Sequence, residues 1–169
     1  MKANELLLDG FGRIHEIVTA TLEDIDPDLL VRRVADQANP IAWLVWHLSR
    51  GEDAQVAPAA GVEQVWTSQG FAGRFGLSLP VQDTGYGHTS DQVDAVQATP
   101  ELLLAYYDAV HRQTVGFLES LSDEELDRVV DTRWKPPVTL GVRLVSILAD
   151  CLQHAGQAAY VKGAVTATG

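Results

Sequence analysis

Asp150 and His154 stand four residues apart in ADCLQHAG, and on a helix that spacing puts a carboxylate and an imidazole on one face, a turn from each other. Such a pair can converge on a cation. It can equally close on itself as a hydrogen bond along the helix surface, so a third donor must decide. His47, inside the apolar run IAWLVWHL, is the candidate. Alone it reads as a satisfied core histidine; with Asp150 and His154 it completes a set of two imidazoles and one carboxylate. That set suits zinc first, with nickel, cobalt or ferrous iron as alternatives, and three protein ligands leave positions open for a reactant. An ion held there would lower the pKa of a thiol or water and generate a nucleophile near neutral pH. Trp43, a turn before His47, offers an aromatic wall. Arg50 and Arg143 are candidates for holding a reactant carboxylate, with surface ion pairing as the alternative for both.

Two helices must present these groups. The stretch from Thr139 to Gly163 reads as one long helix, with Leu144, Ile147, Leu148, Cys151, Ala155 and Ala158 as an apolar band beside a polar stripe of Arg143, Asp150, His154 and Gln157. His47 belongs to a nearly all-apolar helix from Ile41 to Arg50, started by Asn39 as cap and Pro40 as first residue. Two amphipathic helices complete the set. Leu7, Phe11, Ile14, Val18 and Leu22 mark the first, and Leu103, Tyr107, Val110, Thr114, Phe117 and Leu121 mark the third, which opens at Thr99-Pro100. Each half of the chain thus repeats an order: a long amphipathic helix, a short acidic turn (DPDLL, SDEEL), then an apolar helix bearing histidine. The reading is an all-α four-helix bundle in one domain over 1–169, with the two histidine helices meeting in the core. His15 is expected as a partly buried structural histidine and Cys151 as a packing residue.

Between the second and third helices, Glu52 to Ala98 is rich in glycine and carries Trp66, Phe71, Phe75 and Tyr86. A long connection with aromatics is expected to fold back as a lid, with those four as candidate walls of a reactant site. Asp53 to Ala57 extends the second helix in this reading, and Ser90 to Val96 forms a helical turn. His88, in GYGHTS, reads as a solvated loop histidine, with a substrate contact as the alternative.

The charge balance, 12 Lys plus Arg against 23 Asp plus Glu for a net −11, repels a phosphate backbone and argues against nucleic acid and anionic membrane surfaces as partners. No apolar run reaches the roughly 20 residues a membrane span requires, and the N-terminus lacks the apolar core of a signal peptide. A single cysteine, Cys151, agrees with a reducing compartment. The expectation is a cytoplasmic protein.

NPIAWLVWHLSRGED around His47, LADCLQHAGQAAYVKG around His154, and the TSQGFAGRFGL and DTGYGHT segments between them resemble the DinB-like (YfiT-like) superfamily, in particular its mycothiol-dependent maleylpyruvate isomerase and mycothiol transferase branch. The resemblance implies an up-down-down-up bundle holding a divalent metal through His47 on the second helix and Asp150 and His154 on the fourth. Many such proteins have histidine where Asp150 stands, and the isomerase type has glutamate. The implied activity is transfer or isomerisation in which mycothiol or a similar thiol attacks a small electrophile. A non-catalytic metal-binding or stress-related bundle, homodimeric through an exposed helix face, is the alternative.

Overall fold

The computed structural model describes residues 2–167. Four long helices dominate them: α1 (Ala3–Leu22), α2 (Ile41–Ala60), α6 (Pro100–Ser120) and α7 (Leu140–Ala167). Three short ones, α3 (Val65–Ser68), α4 (Phe71–Phe75) and α5 (Ser90–Asp94), lie in the crossover between α2 and α6. α1 packs on α6 and α7, and α2 packs on the same two, so the long helices close a ring around one core. No helix among the described residues is long and apolar enough to cross a membrane.

The apolar periodicities become the inner faces. Leu7, Phe11, Ile14, Val18 and Leu22 of α1 are all buried, as are Leu144, Ile147, Cys151, Ala155 and Ala158 of α7. On α6 the stripe ends at Leu118, which is fully buried, in place of the expected Phe117. Thr99 caps α6 as read, its hydroxyl accepting from the Leu102 amide at 3.2 Å. At α2, however, Pro40 takes the cap position and Ile41 begins the helix, so Asn39 plays no capping part. α2 also runs a full turn beyond Ala57, through Pro58 to Gly61 in the left-handed conformation at φ 72°. A further departure from the expected all-helical chain is a two-stranded antiparallel hairpin, β1 (Val129–Asp131) and β2 (Val138–Thr139), enclosing Trp134 to Pro137.

His15 is the structural histidine expected: its Nε2 meets Asp108 Oδ1 at 2.7 Å, and its ring stacks on His111 at 4.5 Å.

The core is not uniformly apolar. Glu52 of α2 is fully buried, accepting a 2.6 Å hydrogen bond from Thr114 Oγ1 of α6 and facing Cys151 Sγ of α7 at 3.9 Å. Burial raises its pKa from 4.5 to about 7, the Thr114 bond only partly opposing it. Between those two pH values the native chain holds a proton that the unfolded chain has released. Stability supplied by Glu52 therefore falls as pH rises from 4.5 to about 7 and is level above. Glu52→Gln, which keeps the acceptor for Thr114, should remove this slope and be more stable than wild type at pH 8 by roughly 3 kcal/mol, with little difference at pH 4.5. Urea unfolding of both proteins at the two pH values measures it; an equal gap at both would refute a titrating Glu52. The comparison must be made at each pH, because His111, pushed down by burial to about 4, loses stability in the opposite direction as pH falls from 6.5.

Candidate metal centre

His47 of α2 and Asp150 and His154 of α7 come together where those two helices pack. One donor atom from each lies within 4.8 Å of the other two, forming the one such cluster among the described residues. His154 Nε2 and Asp150 Oδ1 are 3.5 Å apart, too long for a good hydrogen bond. The gap matches ligands sharing an ion: donors about 2.0–2.1 Å from zinc at a tetrahedral angle are ~3.3 Å from each other. The short aspartate reaches this position because α2 comes close there. Its contact point is Gly51, one turn after His47, where a Cβ would stand 3.8 Å from Asp150 Oδ2.

The outer nitrogens fix both imidazoles for ligation. His47 Nδ1–H donates to the Thr84 carbonyl, and His154 Nδ1 meets Gln157 Oε1 at 2.9 Å. A backbone carbonyl only accepts, so the His47 proton sits on Nδ1 and its Nε2 lone pair remains for a cation. Burial lowers the pKa of His47, favouring the neutral ligand form, whereas contact with Asp150 raises that of His154 and lowers that of Asp150. Two histidines with oriented second nitrogens and an ionised carboxylate fit a borderline divalent ion, zinc foremost. The Asp150 side chain keeps 47% of its surface exposed, so the site is open on one side.

Trp43 stacks on His47 with ring centroids 4.5 Å apart and lies edge-on to His154 at 6.2 Å. The other expected walls sit elsewhere. Trp66, Phe71 and Phe75 are buried and pack around Tyr106 of α6, holding the crossover down instead of lining an opening. Tyr86 is 94% exposed and packs over nothing. Arg50 is neither a substrate arm nor a surface partner: it is buried, bonded to the Asp83 carbonyl, Gln64 and Tyr106, and stacked over Trp66. Arg143 lies two turns before Asp150, bonded to Gln55 Oε1 at 2.6 Å and Asp131 Oδ2 at 2.9 Å, and faces a separate cavity.

His88 is the main correction. Its side chain is 3% exposed, accepting from Trp43 Nε1–H at 3.0 Å through Nδ1 and donating through Nε2 to Asp83 Oδ2 at 3.0 Å. Loop 83–88 thereby backs the donor cluster: Thr84 orients His47, while Asp83 and His88 hold Trp43. Sequence reasoning missed Asp83 and Thr84, although the Gly85-Tyr-Gly87 flanks were a signal that the backbone here makes a close approach. At Gly85 the φ is 93°, and an added Cβ would be 2.7 Å from His47 Nδ1 and 3.1 Å from the Trp43 and Trp46 rings. Gly85→Ala is expected to weaken zinc binding by about 10–100-fold, the usual effect of disturbing a ligand's outer partner, with helical circular dichroism unchanged. Competition against a chromophoric chelator gives the affinity; a wild-type value would remove the loop from the site.

The fold and cluster define a helical protein in which α2 and α7 bring His47, Asp150 and His154 together as a three-donor site. The chain belongs to the mycothiol-S-transferase family, a branch of the DinB-like superfamily, whose model matches residues 7–167. It is similar to the crystal structure of a conserved protein from Enterococcus faecalis, at 32% identity over 99% of each chain with a TM-score of 0.91. No curated protein matches it.

Proposed function

We propose that the chain is a divalent-metal-dependent thiol transferase or isomerase in which His47, Asp150 and His154 hold the ion, zinc first, and mycothiol or a similar thiol attacks a small electrophile. The observation that carries the reading is the convergence of the three donor atoms within 4.8 Å, with the outer nitrogens of His47 and His154 held by Thr84 and Gln157. Family membership supplies the thiol. In this reading the four long helices form an up-down-down-up bundle, a single cytoplasmic domain over 1–169.

A bound divalent ion would lower the pKa of a thiol and steady the thiolate at neutral pH. Two neutral imidazoles and one carboxylate leave a dication with one net positive charge, which a single thiolate balances. Trp43 excludes water on one side of the ligands, and the exposed edge of Asp150 marks the side where reactants enter. The thiol sulfur then forms a bond to the electrophilic carbon as its leaving group departs; in an isomerisation the thiol adds and is later expelled.

Zinc-loaded protein should convert mycothiol and an alkyl halide to the thioether and halide, detected by mass spectrometry, and chelation should abolish the gain over the uncatalysed reaction. Cysteine and glutathione run in parallel identify the accepted thiol. Zinc binding without turnover of any thiol would leave a non-catalytic metal-binding or stress-related bundle, the class named as the alternative above.

A further inference from the structure

We propose that the cavity beside Arg143 is an anion-binding subsite, taking a carboxylate or phosphate carried by one of the reactants. That its ligand is a reactant rests on the thiol-transfer reading; its preference for anions rests on the cavity alone. The space is about 630 Å³, within the range of small-molecule sites. Arg128, Arg133 and Arg143 line it, with Asp131 as the one acid.

That sign is opposite to the rest of the molecule. In a chain with 23 acidic and 12 basic residues, three guanidinium groups facing a single carboxylate make a locally cationic hollow. Asp131 leaves two of those charges uncancelled. It accepts from Arg133 Nε at 3.0 Å and Nη2 at 2.8 Å and from Arg143 Nη2 at 2.9 Å, and the Arg133 bonds hold it far below the usual carboxylate range, so it stays ionised. Arg128 spends one donor on the Ala59 carbonyl at 2.8 Å, and Arg143 one on Gln55 at 2.6 Å, which fixes both head groups in place. A guanidinium carries five N–H donors, so most remain for a ligand, in the fork geometry that suits carboxylate or phosphate.

Position connects the cavity with the metal cluster. Arg143 precedes Asp150 by seven residues on α7 and Gln55 follows His47 by eight on α2, ~10–12 Å at the helical rise. Between them on α2 stands Gly51, buried where that helix meets Asp150 of α7. A reactant whose acid group lies ~10–12 Å from its reacting atom spans both places on the same helix pair.

Two probe pairs test this by calorimetry on the full chain: S-methylglutathione against its diethyl ester for carboxylate, and 4′-phosphopantetheine against pantetheine for phosphate. At least one anionic probe should bind about tenfold or more tighter than its neutral partner, a preference reduced by salt and lost in Arg128→Gln and Arg133→Gln. Arg133 is 83% exposed, so its variant keeps the fold; Arg143 is left intact because it braces Gln55 and Asp131. The pair that discriminates identifies the group. Equal binding of charged and neutral probes, no binding of either pair, or a preference that survives both substitutions overturns the subsite. Because S-methylglutathione has a blocked sulfur, its preference should persist in His154→Ala. If it persists while zinc fails to improve binding of the free thiol to wild type, the thiol-transfer reading falls and the anion subsite stands.

Discussion

His154→Ala is expected to lose zinc affinity by at least about 100-fold, since removal of a ligand should exceed the loss seen when only a ligand's outer partner is disturbed. Wild-type protein purified without an affinity tag should retain about one zinc per chain after desalting, and the variant almost none. His47→Ala should behave likewise. Asp150→Ala should also lose the ion, whereas Asp150→Glu should retain part of the affinity, because its carboxylate has to fold back from Gly51. Elemental analysis and chelator competition give these values. Zinc that stays equally bound in His154→Ala would mean that Asp150 and His154 pair only with each other, as their 3.5 Å contact already allows.

Asp53→Ala is expected to destabilise the chain by about 3–5 kcal/mol, the cost of breaking a buried charged network from one side. Asp53 has no exposed surface. It accepts from the Val65 and Trp66 amides at 2.9 and 2.8 Å and from the Tyr106 hydroxyl at 2.9 Å, with Arg50 Nη1 3.6 Å away. Alanine would orphan both amides at the start of α3 and leave the Arg50 charge buried without its acid. Urea denaturation gives the loss, and limited proteolysis should place new cuts between Gly61 and Ser90. Asp53→Asn, which preserves an acceptor, should cost less. A difference within about 0.5 kcal/mol for Asp53→Ala would show that the crossover is anchored elsewhere.

The long helices and the three-donor cluster were legible because both follow from period. Burial at every third or fourth residue is forced by helix geometry, so Leu7 to Leu22 and Leu144 to Ala158 could be placed on inner faces from spacing alone. Asp150 and His154 share a face for the same reason, and His47 was conspicuous as the imidazole in an apolar run. The crossover follows no period. Its short helices are held by single contacts across long sequence separations, such as Asp53 to Trp66 and Arg50 to the Asp83 carbonyl, which residue type does not announce. Arg50 shows the limit: a guanidinium one turn from a ligand histidine looks like a substrate arm, and only the folded crossover shows that its donors are occupied. Tyr86 and His88 exchange their expected places for a related reason. Glycines on both sides of Tyr86 let the backbone turn the imidazole inward and the phenol outward.

The bond from His47 to the Thr84 carbonyl ties a candidate ion ligand to a loop that Trp43 and Arg50 of the same helix also hold. By reciprocity, whatever tightens the ion also holds the loop, and lifting the loop slackens the ion. Zinc should therefore slow amide exchange between Asp83 and His88, more than 30 residues from the nearest ligand in sequence. With an ion bound, closing this loop and loading the site would be one equilibrium, the loop its latch on the side away from the exposed edge of Asp150.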